Sequence, residues 1–225
     1  MKKYIYAFLL FGTLVILTTC LHPYDGDDGL DDGLPGTGTP IVVSDLFTQP
    51  DNTNNDLYRF YTNDKKYQSS SGYTLWTYCS SLEYLTDRTV MVSKPLGSSI
   101  AGYGLILCSD QRMVDGSLGT VFLTVMINNS GQYAIGKVIN GSYSHLINWT
   151  KGKGLSTGVG LSHKIRIVYL SNNSYQLYLN DISEITFPDD TLPKCEGTGR
   201  NGYLVVIAPE DLNNSGVEVW FRKEP

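Results

Sequence analysis

Histidine and cysteine are scarce in this chain, and so is charge. Three histidines and four cysteines are spread over 225 residues. His22, His145 and His163 lie far apart and form no zinc-ligand spacing with the cysteines, so neither a metal nor another cofactor is expected. Asp, Glu, Lys and Arg together make 17% of the chain, with a formal charge of -5. An acidic balance without a basic block argues against nucleic acid as a partner. No phosphate loop and no His-Glu-x-x-His occur. Gly-x-Ser-x-Gly at 154–158 and Gly-x-Gly-x-x-Gly at 197–202 match in letters only, since neither is followed by the helical pattern that a nucleophile elbow or a dinucleotide fingerprint needs. Residues 152–160 are glycine-rich but lack the Gly-Lys-Ser/Thr ending, so they read as a loop between strands. No segment of ordinary helix length carries the 3.6-residue apolar period.

What is present is alternation. Residues 119–188 are short runs of Val, Ile, Leu and Tyr divided by Asn, Gly and Ser. Runs at 121–127, 132–139, 143–149, 164–170, 175–179 and 182–187 read as strands of an antiparallel meander. Asn140-Gly141 is a tight-turn signal and Asn180-Asp181 a weaker one, because these residues tolerate positive φ. Ile165 and Ile167 alternate with Lys164 and Arg166, and Leu177 and Leu179 share a face. One face of each strand is therefore buried, and two such sheets make a sandwich. Further strands are expected at 41–47, 57–61, 72–78, 82–92, 103–108, 202–208 and 217–222. Residues 109–118 read as a mixed-charge loop and 211–216 as a turn. The 16 tyrosines suit strands and can also line a ligand face.

The first forty residues differ from the rest. Lys2 and Lys3 precede an apolar run at 4–17, of export-signal length and short for a stable membrane span. Leu17-Thr18-Thr19-Cys20 resembles a bacterial lipoprotein lipobox, with Thr19 where Gly, Ala or Ser is usual. That resemblance implies a cleaved signal peptide over 1–20 and an acylated Cys20 that anchors the protein to membrane lipid. It places the protein at a bacterial cell envelope, facing the periplasm or the exterior. An ordinary signal peptide and an uncleaved anchor are the alternatives. Residues 21–40, rich in Asp, Gly, Pro and Thr, are too polar to form a core and read as a disordered tether. Asp25, Asp27, Asp28, Asp31 and Asp32 lack the EF-hand spacing for Ca²⁺. The folded domain then spans 41–225.

With Cys20 lipidated, Cys79, Cys108 and Cys195 remain, enough for one bridge and one thiol. Sequence does not select the pair, and Cys108 is favoured as a small buried residue. Five Asn-x-Ser/Thr sequons, at Asn128, Asn140, Asn148, Asn172 and Asn213, read as turn residues in a bacterial chain.

The order of Tyr103-Gly104, Gly131-Gln132-Tyr133, Ile135-Gly136-Lys137, Trp149, 165–169 and 177–180 resembles the concanavalin A-like lectin and glucanase superfamily. Its laminin-G-like bacterial modules are the nearest in pattern. The resemblance implies an all-β, two-sheet antiparallel jelly-roll sandwich over most of 41–225. It spans glucanases, sugar-binding modules and protein-binding modules, so it implies no single activity. The Glu-x-Asp-x-x-Glu signature of the bacterial glucanase branch is missing. Glu83 and Asp87 share a strand face by parity but sit ~13 Å apart, too far for paired carboxylate catalysis. Glu184 flanks a hairpin and Glu218 is alone on its strand. The expected function is a non-catalytic, membrane-tethered binding module, most plausibly for a glycan. A protein-binding or structural envelope lipoprotein and a divergent glycoside hydrolase are the alternatives. Sugar rings stack on aromatic faces while their hydroxyls need directed polar partners. Trp76, Tyr133, Tyr143, Trp149, Arg166 and Tyr178 are the ligand-binding candidates, with Arg166 and Tyr178 on one exposed sheet face.

Overall fold

A computed structural model describes residues 46–49, 57–68, 73–79, 82, 86–114, 117–140, 142–188 and 200–224, and for 111–118, 142 and 214 the backbone alone. The leader, Cys20, the 21–40 tether, the domain start at Ile41 and Cys195 lie outside the described residues.

Alternation does become strands. In chain order they are β1 (Phe47–Thr48), β2 (Leu57–Thr62), β3 (Tyr73–Tyr78), β4 (Asp87–Leu96), β5 (Tyr103–Val114), β6 (Ser117–Ile127) and β7 (Gln132–Ile139). Then follow β8 (Ser142–Lys151), β9 (Ser162–Leu170), β10 (Ser174–Leu179), β11 (Ile182–Pro188), β12 (Arg200–Ile207) and β13 (Val217–Lys223). One four-residue helical turn, α1 (Asp211–Asn214), interrupts the expected turn before β13.

A seven-stranded sheet has the order β1-β2-β13-β4-β9-β10-β11, and a six-stranded sheet the order β3-β12-β5-β6-β7-β8. Every described pairing is antiparallel. The chain crosses between sheets at β2–β3, β3–β4 and β4–β5, and again at β11–β12 and β12–β13. Its last two strands slot between earlier ones, which makes the sandwich a jelly roll. The expected single meander is two. β5 to β8 form one in the smaller sheet, and β9 to β11 form one in the larger. The glycine-rich loop 152–161 carries the chain from one sheet to the other.

The core lies between the sheets. Val121, Leu123, Val125 and Ile127 of β6 face Ile165, Ile167, Leu177, Leu179, Val219 and Phe221 from the other sheet. Tyr203 stacks on Phe221 at 4.5 Å, and Tyr175 on Phe187 at 5.4 Å. Each such side chain stabilises the fold by about 1.5–3 kcal/mol when fully buried.

Turns follow the local chemistry. Asn180 and Asp181 both have positive φ, at 49° and 65°, as a two-residue type I′ hairpin turn requires. Asn128 Oδ1 accepts from the backbone N–H of Ser130 and Gln132, at 3.0 and 3.1 Å. That sequon is buried and serves as a turn.

Three further expectations need correction. Residues 109–118 are not a loop, because β5 and β6 pair onward from Asp110↔Val121 to Val114↔Ser117. The strand expected at 82–92 begins at Asp87 and runs to Leu96. Pro95, which has no N–H to give, sits where the β13–β4 register shifts. Of the strand expected at 41–47, residues 41–45 lie outside the described residues, and Phe47 is extended and paired. Cys108 is buried but is also disulfide-bonded, with its partner outside the described residues. It occupies a bulge of β5 at φ 58°, where buried Asn201 accepts from its N–H at 3.1 Å. Cys79 is a buried thiol whose Sγ lies 3.6 Å from the Tyr203 hydroxyl.

Candidate functional site

The six-stranded sheet has a second apolar face, turned away from the core. Side-chain parity assigns it. With Val121, Leu123 and Val125 pointing inward, Phe122, Thr124 and Met126 point outward. Register carries the parity across the sheet. One row reads Tyr78, Gly202, Ile106, Thr124, Gly136, His145. A neighbouring row reads Trp76, Leu204, Gly104, Met126, Ala134. Trp76, Ile106, Phe122, Met126, Ala134, Val138 and Leu204 form a buried cluster here, with Tyr78, Tyr143, Trp149 and Val206 packed against it.

Glycines on this face make room for rings. A Cβ on Gly136 would run into the Tyr143 ring, so that ring lies flat over the β7 backbone. A Cβ on Gly102 would come within 3.0 Å of Trp149 Cη2, so the indole lies over the 97–102 loop. Trp76 packs on Phe122 at 5.4 Å and is only 7% exposed, which commits its ring to the sheet. Its Nε1 is buried with no hydrogen-bond partner among the described residues.

Tyr143 and His145, two apart on edge strand β8, share this face. Their rings meet edge to face at 4.8 Å, and the Tyr143 hydroxyl lies 3.1 Å from His145 Nδ1. Burial pushes the Tyr143 phenol up to about 12, against an opposing pull from Thr124. Burial also holds His145 below the usual imidazole range, opposed by the backbone at Ile147. The hydroxyl and Nδ1 share one hydrogen bond, whose donor is set by the His145 tautomer. The strip therefore offers two partly exposed aromatic faces, at Tyr143 and Trp149, beside an exposed imidazole. It can stack on an apolar ring face and can donate and accept at hydroxyls.

The structure divides the six candidates. Trp76, Tyr143 and Trp149 meet on this face. Tyr133, two residues from Ile135, points into the sandwich core, and its phenol is pushed up first by burial and then by Glu184. Arg166 and Tyr178 pair across β9 and β10 on the outer face of the larger sheet, as alternation indicated, with the guanidinium 5.2 Å from the ring centre. Arg166 Nε and Nη2 are also held by Asp87, at 3.0 and 2.6 Å. That hydrogen bond holds the Asp87 carboxyl below its usual range. Sequence reasoning passed over Phe122, Thr124, Gly136 and His145. The signal for His145 was parity, since it stands two residues from Tyr143 on one strand. Among the described residues, no three His, Cys, Asp or Glu are grouped to hold a metal. Among them also, no helix is long and apolar enough to cross a membrane.

No family model and no curated protein matches the chain. Solved structures do resemble it. Sheep galectin-11 in complex with glycerol is 11% identical, over 68% of this chain and 94% of that one, with a TM-score of 0.36. The laminarinase catalytic domain of Thermotoga maritima is 11% identical over 74% and 68%, with a TM-score of 0.42. A glycoside hydrolase family 16 endo-glucanase from Bacteroides ovatus is 9% identical over 74% of each chain, with a TM-score of 0.41. At these identities the likeness is one of fold alone. The assignment of this chain as a two-sheet jelly roll rests on its own strand order and register.

Proposed function

We propose that this domain is a non-catalytic glycan-binding module, held at a bacterial envelope membrane through acylated Cys20. The observation that carries the reading is the Tyr143–His145–Trp149 strip. Two aromatic rings pack against glycines along one edge strand, Tyr143 on Gly136 and Trp149 on Gly102, with the imidazole beside Tyr143. A sugar presents the matching surface, an apolar C–H face rimmed by hydroxyls. Tyr143, His145 and Trp149 contact the ligand, while Trp76 and Phe122 support the face from below. Hydrolysis would need two carboxylates on either side of a glycosidic bond. The outward residues described above are aromatic, aliphatic, glycine, Thr and His, with no Asp or Glu among them. The membrane tether rests on the order Lys2-Lys3, apolar run, Cys20.

A glycan array on the mature chain tests the reading, followed by a reducing-sugar assay on every hit. Binding without product, lost in Trp149→Ala and in Tyr143→Ala, is the expected result. Arg166→Ala and Tyr178→Ala test the opposite sheet face and should leave binding unchanged. Product release would favour a divergent hydrolase. No glycan binding at all would defeat the reading and favour an envelope or host protein as partner. Cys20→Ser should move the protein out of the detergent phase, and unchanged partitioning would sink the anchor.

A further inference from the structure

We propose that one end of the sandwich, bearing Ile100, Val159, Leu161 and Ile182, docks on a lipid surface. Among the described residues these four are the large hydrophobics left exposed, at 63%, 60%, 40% and 45%. They belong to two loops and the first residue of β11, yet register puts all of them at one end. β5 leaves loop 97–102 at Tyr103, opposite the last residue of β6, Ile127. β9 leaves loop 152–161 at Ser162, opposite Ser93 near the end of β4. The β10–β11 turn closes over the same loop, where Asn180 Nδ2 donates to Gly154 O at 2.7 Å.

These loops are one rigid body. Ser130 N–H donates to Ser99 O at 3.1 Å, Gly158 N–H to Asn129 O at 2.9 Å, and Gly160 N–H to Lys94 O at 3.1 Å. Beneath them the buried Lys94 ammonium donates to Ser98 O and Ala101 O, at 3.0 and 3.3 Å. Backbone hydrogen bonds therefore tie the segments bearing Ile100, Val159 and Leu161 to the strand ends beneath them.

The path of the chain names the occupant. Tyr61 N–H donates to Leu46 O, and β2 ends at Thr62 opposite Val217. Gly216, the residue before Val217, lines a cavity of about 310 Å³ together with Val159, Leu96 and Gly97. The segment that runs back to Cys20 thus joins the domain at the apolar end. Residues 21–45 could span ~80–90 Å fully extended, so the tether alone does not choose an orientation. The apolar tips choose it. Charges at this end have both signs, with Lys151, Lys153, Lys164, Lys65 and Lys66 against Glu210, Asp181 and Asp64. Apolar insertion, more than charge, then supplies the attraction, and binding should persist at high salt.

The inference rests on the membrane-tether reading, so the test separates the two. The mature chain carrying Cys20→Ser is sedimented with vesicles of phosphatidylethanolamine and phosphatidylglycerol, in low and high salt. Weak partitioning that survives salt is expected. It should fall at least ~10-fold when Ile100, Val159, Leu161 and Ile182 are all changed to serine. These sites are on the surface, so an unchanged urea midpoint verifies folding. An environment-sensitive fluorophore on Ser156→Cys should shift to the blue on vesicles, while one on Ser171→Cys, at the far end, should not. No partitioning, or partitioning indifferent to the four serines, overturns the proposal even if Cys20 is acylated. Loop-dependent partitioning with an unacylated wild-type chain would uphold it and sink the anchor instead.

Discussion

Lys94 lies on the inward face of β4, fully buried, and its charge makes a quantitative prediction. Burial lowers its pKa from 10.5 to about 8, opposed by the attraction of Asp211 and then Glu210. The sign is unambiguous. Between those two values the unfolded chain binds more protons than the folded one, so stability rises with pH. The whole interval of about 2.5 units corresponds to about 3 kcal/mol. Moving from about pH 7.5 to about pH 9.5 should release about 2 kcal/mol of it. For a domain of this size that raises the urea midpoint by roughly 1 M. The loop contacts survive deprotonation, because a neutral amine keeps two N–H groups for Ser98 O and Ala101 O. The window must close below about pH 10. Tyr103 and Tyr143 are pushed upward by burial, so their ionisation in the unfolded chain works in the opposite direction above it. Lys94→Met should abolish the rise. A wild-type midpoint that is flat or falls over this range would refute the reasoning, as would an equal rise in Lys94→Met.

Gly136→Ala should drive the Tyr143 ring off β7, costing about 1–3 kcal/mol in urea melts and weakening any glycan found on the array. Asp87→Asn removes an ion pair whose side chains are about 40% and 47% exposed, so at neutral pH it should cost less than ~1 kcal/mol. The folded carboxyl lies below its ordinary range, so this contribution is complete above the unfolded pKa and fades as pH falls through the folded one. Midpoints of both chains should therefore converge in acid.

The sequence by itself determined the elements and much of their facing. Strands with one wet face, such as Lys164-Ile165-Arg166-Ile167, announce their buried side by alternation. Asn180-Asp181 announces its turn through its tolerance of positive φ. The shared outer face of Arg166 and Tyr178 was legible for the same reason as the buried sides, while their direct pairing came from the register. Tertiary structure decided the rest. The central strands of the smaller sheet are apolar on both faces, so Tyr133, Ala134 and Ile135 show no wet side, and nothing local says that Tyr133 faces the core while Tyr143 faces outward. Arg88 and Lys94 flank Val90 and Val92 on the inward face of β4, where charge is not expected. What holds Lys94 there is two carbonyls of the loop that follows, Ser98 and Ala101, together with the attraction of Asp211 from far along the chain. The jelly roll itself depends on where loop 152–161 changes sheets and where β12 and β13 insert. Those are choices among long-range backbone pairings, and a residue pattern with a period of two is the same whichever neighbour a strand finds.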